Sequence, residues 1–145
     1  MAQVSEILTI AAAGTIHAAA TTVTGTGVVF KQAWKTALVV LSVTAAATAV
    51  GDTFDVYIDT SPDGGTTWLN VGHFTQVLGN GGAKTFTMAL SADNPGTSSV
   101  TNVTSDCAAG VTRQFGICDR LRYRSVVASA SAPSFTFGIK AFLKA

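Results

Sequence analysis

The sequence predicts an all-β protein: an antiparallel β-sandwich, or jelly-roll-like domain, formed by residues 1–145 as a single unit. Thr, Val, Ala and Gly dominate the composition, and β-branched residues occur in most segments. Turn residues separate about seven apolar segments, several of which alternate apolar and polar side chains as half-buried strands do. A length of 145 residues fits one domain. We therefore expect two packed sheets around one core.

The clearest hairpin lies in the middle of the chain. Phe54, Val56 and Ile58 recur at every second position, which predicts a strand with one buried face. The loop 60–67 (TSPDGGTT) supplies a Pro for its fixed φ and two Gly residues for positive φ. The segment 68–74 (WLNVGHF) is then the second strand of the hairpin.

Three further strands are predicted in the second half of the chain. Residues 84–90 (KTFTMAL) and 120–127 (RLRYRSVV) alternate strictly. Residues 134–143 (SFTFGIKAFL) form the last strand, and Pro133 marks its start. Each segment has one apolar face, so each is expected to cover the same core.

The N-terminal third is harder to assign because runs of Ala favour helix, whereas their Thr and Val neighbours disfavour it. In an all-β context, 22–30 and 37–43 are predicted to be strands. Residues 1–13 are predicted to be an N-terminal arm or edge strand. As an arm, the apolar part 4–13 would add a strand to the sheet of a neighbouring molecule.

The segment before the arginine-rich strand is predicted to be irregular. Residues 91–106 are rich in Ser, Thr, Asn and Asp, which is typical of an exposed loop that contacts partners. A short helix is expected over 107–115. Cys107 and Cys118 are interpreted as two buried thiols, with a disulfide that closes the loop 108–117 as the alternative.

Composition and charge exclude several classes of function. Nine Lys and Arg against eight Asp and Glu leave a formal charge of +1, which does not attract a polyanion globally. The apolar run 36–50 is shorter than the roughly 20 residues of a membrane-spanning helix, and residues 1–14 fit a secretory signal poorly because they lack Lys and Arg. We expect neither nucleic acid nor membrane as a partner. Only 12% of residues are charged and 48% are hydrophobic, so surface is expected to be buried in an assembly.

No catalytic constellation is recognisable. His17 and His73 are the only histidines, and neither has the sequence neighbourhood of a catalytic base. We therefore expect no enzyme, no cofactor and no metal site. Four acidic residues of the central hairpin are close enough in sequence to bind calcium, but capping of turn N–H groups is the favoured interpretation. These residues are Asp52, Asp55, Asp59 and Asp63.

Arg120, Arg122 and Arg124 form the one concentrated charge feature. On a strand, all three project from one face. The alternatives are cross-strand pairing with Asp55 and Asp59, contact with another protein, and binding of a polyanion. The three arginines are accordingly candidate partner contacts.

The central turn carries a recognisable motif. Ser61, Asp63, Gly65 and Trp68 match the Asp-box pattern S-x-D-x-G-x-x-W. In such a turn the Ser and Asp side chains bind backbone N–H groups, Gly relaxes φ and Trp packs beneath. The motif is predicted to stabilise a hairpin and not to catalyse a reaction.

A wider pattern resembles the small virion structural proteins of tailed bacteriophages. It consists of FDVYIDTSPDGGTTWLNVGHFTQVLG, RLRYRSVV and SFTFGIKAFL within residues 51–143. The resemblance implies a non-enzymatic capsid decoration or cement protein on the outer capsid surface of the virion. Its implied partners are the major capsid protein and further copies of itself, as a homotrimer or homodimer.

Two alternative functions share the β architecture. A tail-tube or head–tail adaptor subunit would also act in many copies. A carbohydrate-binding β-sandwich would need exposed aromatic side chains, for which Trp34, Tyr57 and Trp68 are the candidates.

Overall fold

The computed structural model describes residues 5–92, 102–113, 117–129, 131 and 133–145. Over these ranges the chain forms eleven strands and no helix, and therefore no helix that could cross a membrane. The strands are β1 (Ser5–His17), β2 (Thr22–Thr24), β3 (Val28–Val29), β4 (Thr36–Ala45), β5 (Thr53–Thr60), β6 (Leu69–His73), β7 (Val77–Leu78), β8 (Lys84–Ser91), β9 (Val111–Thr112), β10 (Arg120–Ala128) and β11 (Phe135–Lys144).

The strands form two antiparallel sheets packed as a sandwich. A four-stranded sheet has the order β1-β11-β4-β8, and a seven-stranded sheet contains the path β2-β10-β5-β6-β9, with β3 beside β10 and β7 beside β5. Along the chain, β1 pairs with β11, β2 with β10, β4 with β8 and β5 with β6. The chain is thus one long hairpin ribbon, folded so that β11 also meets β4 and β10 meets β5. This nested pairing is the jelly-roll arrangement, and the predicted fold class is confirmed.

The core lies between the two sheets and follows the alternation of the sequence. Phe54, Val56 and Ile58 on β5 are at most 1% exposed, as are Phe135 and Phe137 on β11. Phe54 stacks on Phe135 at a centroid distance of 4.9 Å and lies 5.0 Å from Phe137. Aromatic rings from both sheets therefore meet at the centre of the sandwich.

The N-terminal segment lies in the chain's own sheet. Residues 5–17 form β1, the edge strand beside β11, and bury Leu8 and Ile10 in the core. The register shifts on either side of Ala11, and Gly14 has φ of +83°, which bends the strand. Pairing with β11 overrides the helix propensity of the Ala residues.

The strand predicted over 22–30 is split into β2 and β3. The intervening glycines lie against aromatic rings: a Cβ at Gly25 would be 2.3 Å from Tyr123, and one at Gly27 would be 2.5 Å from Trp68. Since no side chain fits there, the strand is interrupted where the rings lie against the backbone.

The helix expected over 107–115 is wrong for the part of that segment that the structure describes, residues 107–113. Val111–Thr112 form β9 beside β6, and the Gly110 amide donates to the His73 carbonyl. Of the predicted loop 91–106, residues 93–101 lie outside the described ranges, as do 114–116. Both cysteines are free thiols, and burial raises the pKa of Cys107.

His17 connects the two sheets at the end of β1. Its Nδ1 lies 2.9 Å from Ser125 Oγ on β10, and its Nε2 lies 3.0 Å from Thr21 Oγ1. The ring is 4% exposed and meets Phe54 edge-on at 6.3 Å. Because burial disfavours the charged form, the pKa of His17 is lowered.

The central ring stack makes a quantitative prediction. Phe54→Ala removes a fully buried ring that contacts both Phe135 and Phe137. We expect a loss of about 3–5 kcal/mol in the free energy of unfolding, measured by urea denaturation. The exposed control Val50→Ala should leave that free energy nearly unchanged. Equal effects of the two substitutions would contradict the assignment of the core.

The buried His17 predicts a pH dependence. A histidine with a lowered pKa takes up a proton more readily when the chain is unfolded, so its contribution to stability is complete above about pH 6.5 and falls as the pH drops below that value. His17→Gln removes this titration. Between pH 7 and pH 5 the urea midpoint of the variant should therefore fall less than that of the parent. Parallel declines would show that His17 does not contribute.

Candidate functional site

The β5–β6 turn is held by contacts within the turn itself. Ser61 Oγ accepts from the Gly65 amide at 2.8 Å and donates to Asp63 Oδ1 at 3.0 Å. Asp63 Oδ1 also accepts from the Thr67 amide at 2.6 Å, and hydrogen bonds from Thr67 lower the pKa of Asp63. Trp68 Nε1 donates to the Gly65 carbonyl at 2.9 Å. All four motif residues thus act together in shaping the turn.

Trp68 packs the turn against the outer face of the seven-stranded sheet. Its ring lies against Gly27, and the Arg122 guanidinium lies 4.3 Å from the ring centroid. Such a cation–π contact is favourable when both groups are shielded from water. The turn therefore packs against β10 and the β2–β3 connection.

A buried carboxylate organises this outer face. Asp59 on β5 is 1% exposed and lies opposite Arg122 in the register. It accepts from Arg122 Nε at 3.1 Å, from Arg124 Nε at 2.7 Å and Nη2 at 3.0 Å, and from Asn70 Nδ2 at 3.2 Å. Burial alone would raise the pKa of Asp59, but the hydrogen bonds and charge of Arg124, helped by Asn70 and Arg122, lower it.

The other arginine contacts are also internal to the chain. Arg124 bridges Asp59 to Asp106, with Nη2 2.6 Å from the Asp106 carboxylate, and the hydrogen bonds to both carboxylates raise its pKa. Arg120 Nε donates to Asp119 at 2.9 Å and its Nη1 to the Gly64 carbonyl at 2.7 Å. The three candidate contact residues share one face, as predicted, and each is bound to groups of its own chain. Contact with a partner stays a prediction.

Cross-strand pairing of the arginines with Asp55, part of one of the alternatives for this face, does not occur. The antiparallel register places Val126 opposite Asp55, two positions from the nearest arginine. Asp55 instead binds His73 Nε2 at 2.8 Å and Gln76 Nε2 at 2.8 Å. Pairing with Asp59 does occur, so the cross-strand alternative holds for one of its two carboxylates.

His73 and Asn70 tie the segment 102–113 to the sheet. His73 Nδ1 lies 2.9 Å from the Cys107 carbonyl oxygen, and its Nε2 lies 2.8 Å from Asp55 Oδ1, so the ring bridges the segment and β5. Asn70 Oδ1 accepts from the Cys107 amide at 2.9 Å. Sequence reasoning did not assign these roles, and the one available signal was an Asn inside a strand, where it is disfavoured.

The candidate aromatic platform for a carbohydrate is covered. Trp34 is 6% exposed and donates to the buried Glu6 carboxylate at 2.7 Å. Tyr57 lies between His73, stacked at 4.0 Å, and Arg124 at 4.9 Å. Trp68 lies beneath Arg122. Trp34 is thus buried, and the rings of Tyr57 and Trp68 are already in contact with side chains of their own chain.

The acidic residues of the hairpin are dispersed among separate partners. Asp55 and Asp59 bind His73 and the arginines, while Asp63 binds its own turn and Asp52 accepts from Ser129 Oγ at 3.1 Å. Among the described residues, no group of three or more His, Cys, Asp or Glu side chains is placed to hold a metal ion.

Comparison with known proteins adds one structural likeness. No protein-family model and no curated protein matches the sequence. A chain in the structure of infectious bursal disease virus, Gt strain, is similar over 97% of the present chain, with a TM-score of 0.53 and 12% sequence identity. The present chain covers 32% of that viral chain, about a third of its length. The two chains share a fold, which for this protein is an all-β sandwich also found in a virus structure.

The Asp59 network makes a stability prediction. Asp59→Asn removes the negative charge that two partly buried guanidinium groups share. Leaving such charges uncompensated should cost about 3–5 kcal/mol in the free energy of unfolding, measured by urea denaturation at pH 7.

Asp119→Asn is the matched control. Asp119 also pairs with an arginine, but its side chain is 61% exposed, so water replaces the lost contact. The control should unfold at the parent's urea concentration. If Asp59→Asn also does so, the buried carboxylate does not hold this face together.

Proposed function

We propose that the protein is a non-enzymatic structural component of a tailed-bacteriophage virion. Its role is that of a capsid decoration or cement protein, which binds the outside of the major capsid protein lattice and stabilises the head. The observation that carries the proposal is the jelly-roll fold, which resembles part of a virus structure over 97% of this chain. The sequence pattern of residues 51–143 supports the same role.

The intramolecular contacts of the polar side chains support a role in binding other proteins rather than in catalysis. His17 is buried against hydroxyl groups, and His73 is engaged by Asp55 and the Cys107 carbonyl. The arginine-rich face is engaged by Asp59, Asp106 and Asp119. These groups stabilise the sandwich. The exposed surface of the sandwich is then what other molecules can contact.

The composition supports action in many copies. With a formal charge of +1 and 12% charged residues, the protein has little electrostatic repulsion to keep its copies apart. We propose assembly as a homotrimer or homodimer, each copy touching the shell. Weak individual contacts then combine through avidity.

Co-sedimentation tests the proposed function. Purified protein is mixed with expanded capsids of the phage that encodes it, assembled without this gene product, and the bound copies per capsid are counted. We expect saturable binding at hundreds of copies and capsids that withstand higher temperature. Capsids that already carry the protein serve as the control and should take up no more.

Two results would overturn the decoration role. Absence of binding excludes the capsid lattice as partner. Saturation at the few copies that one vertex accommodates assigns the protein to the head–tail connection instead.

A further inference from the structure

The outer face of the four-stranded sheet carries a continuous apolar row. Ile7 on β1 lies opposite Phe142 on β11, which lies opposite Leu38 on β4, which in turn lies opposite Ala89 on β8. Ile7, Leu38 and Phe142 are 62%, 42% and 36% exposed. Four neighbouring strands therefore place apolar side chains side by side in contact with water.

Such a row is unusual for the solvent side of a sheet. An antiparallel sheet with one buried face normally carries polar residues on the other face. Contiguous exposed apolar side chains mark interaction sites more often than isolated ones do. The row therefore calls for a partner, whereas single exposed apolar residues elsewhere on the protein do not.

Two depressions lie along the row, and each has a lysine among its lining residues. One, of about 250 Å³, is lined by Gly14, Gly138 and Lys140 among others, and the small residues make it concave. The other, of about 380 Å³, is lined by Leu38 and Lys144 among others. The face is thus an uneven apolar surface with positively charged lysines beside it.

The charge of this sheet is one-sided. Its four strands, all within the described ranges, contain Lys84, Lys140 and Lys144 and a single carboxylate, Glu6. Glu6 is buried and accepts from Trp34, so it does not offset the lysines of the outer face. A complementary surface must therefore supply carboxylates.

We infer that this face, the Ile7–Phe142–Leu38–Ala89 row with Lys140 and Lys144, binds a protein surface that presents an apolar strip bordered by Asp or Glu. The inference rests on the proposed function, so that the partner surface belongs to the capsid shell. A second copy of this chain is a poorer occupant, because two such faces would bring lysines together with no carboxylate between them.

The size of the face fits a weak contact repeated many times. Four neighbouring strands give the face a width of about 19 Å, and eight to ten residues along each strand give it a length of about 30 Å. The face therefore covers roughly 600 Å². A stable one-to-one complex usually buries about 800 Å² on each partner. One face alone is therefore marginal, and linked copies are needed for tight attachment.

Capsid binding by variants of this face tests the inference. Leu38→Thr with Phe142→Thr replaces the apolar row by a residue that suits strands, and Lys140→Glu reverses the charge at the rim. Each variant is titrated onto capsids lacking the protein. We expect at least a tenfold weaker apparent affinity for both variants, and urea midpoints near that of the parent because the positions are exposed.

Matched controls separate the face from general effects of substitution. Val23→Thr with Val29→Thr also replaces two exposed apolar side chains by Thr, on β2 and β3 of the other sheet. Lys140→Arg keeps the positive charge. Both controls should bind capsids as the parent does.

The outcomes distinguish this inference from the proposed function. If the parent binds capsids and the face variants bind equally well, the face is not the attachment surface, although the decoration role stands. If the parent does not bind, both proposals fall. If the free parent protein forms oligomers that the face variants lose, or binds phosphatidylglycerol vesicles through this row, the face serves another occupant and the inference is overturned.

Discussion

The contact on which the sandwich depends is the meeting of Phe54 with Phe135 and Phe137 between the sheets. Phe54 belongs to the seven-stranded sheet, and the other two rings belong to the four-stranded sheet. In a strand, neighbouring side chains point to opposite faces. Fixing these rings inward therefore directs Asp55, Tyr57 and Asp59 outward on one sheet, and Lys140 and Phe142 outward on the other. The core thus determines the chemistry of both outer faces.

The two outer faces use this constraint differently. On the seven-stranded sheet, Asp59 is covered by Arg122 and Arg124, and the segment carrying Asp106 and Cys107 is bound across it. The charged side chains of this face form ion pairs with one another. On the four-stranded sheet, by contrast, the outward side chains of Ile7, Leu38 and Phe142 are 62%, 42% and 36% exposed. One face is covered within the chain, and the other is the face to which we propose that a partner binds.

The sequence alone predicted the parts of the fold whose side chains alternate with a period of two. The β5–β6 hairpin, β8, β10 and β11 follow directly from that alternation, because burial of one face is a local property of the strand. The split of the strand predicted over 22–30 could not be foreseen, since it depends on Tyr123 and Trp68, which are distant in sequence. The expected helix over 107–115 failed in its described part for the same reason: that segment takes its hydrogen bonds from β6.

Prediction of the candidate site had a similar limit. That the three arginines share a face follows from their spacing, but the carboxylate they bind is decided by the register of β10 against β5. A shift of two residues would have placed Asp55 opposite Arg124 and moved Asp59 opposite Arg120. Asn70, His73 and Asp106 were missed because their roles arise from a loop that returns over the sheet. The spacing of residues along a strand predicts which side chains share a face. Which side chains they meet on the neighbouring strand depends on the register.

The energetics of the arginines also bear on where a partner binds. Arg122 and Arg124 already donate to Asp59, so a partner that recruits them must first break those ion pairs, at a cost of about 3–5 kcal/mol when one side of a buried pair is lost. Lys140 and Lys144 have no ion-pair partner among the described residues within 4.0 Å and lie beside exposed apolar side chains. Recognition by the four-stranded sheet therefore leaves the internal network of the other sheet intact, and the same copy can bind and remain folded.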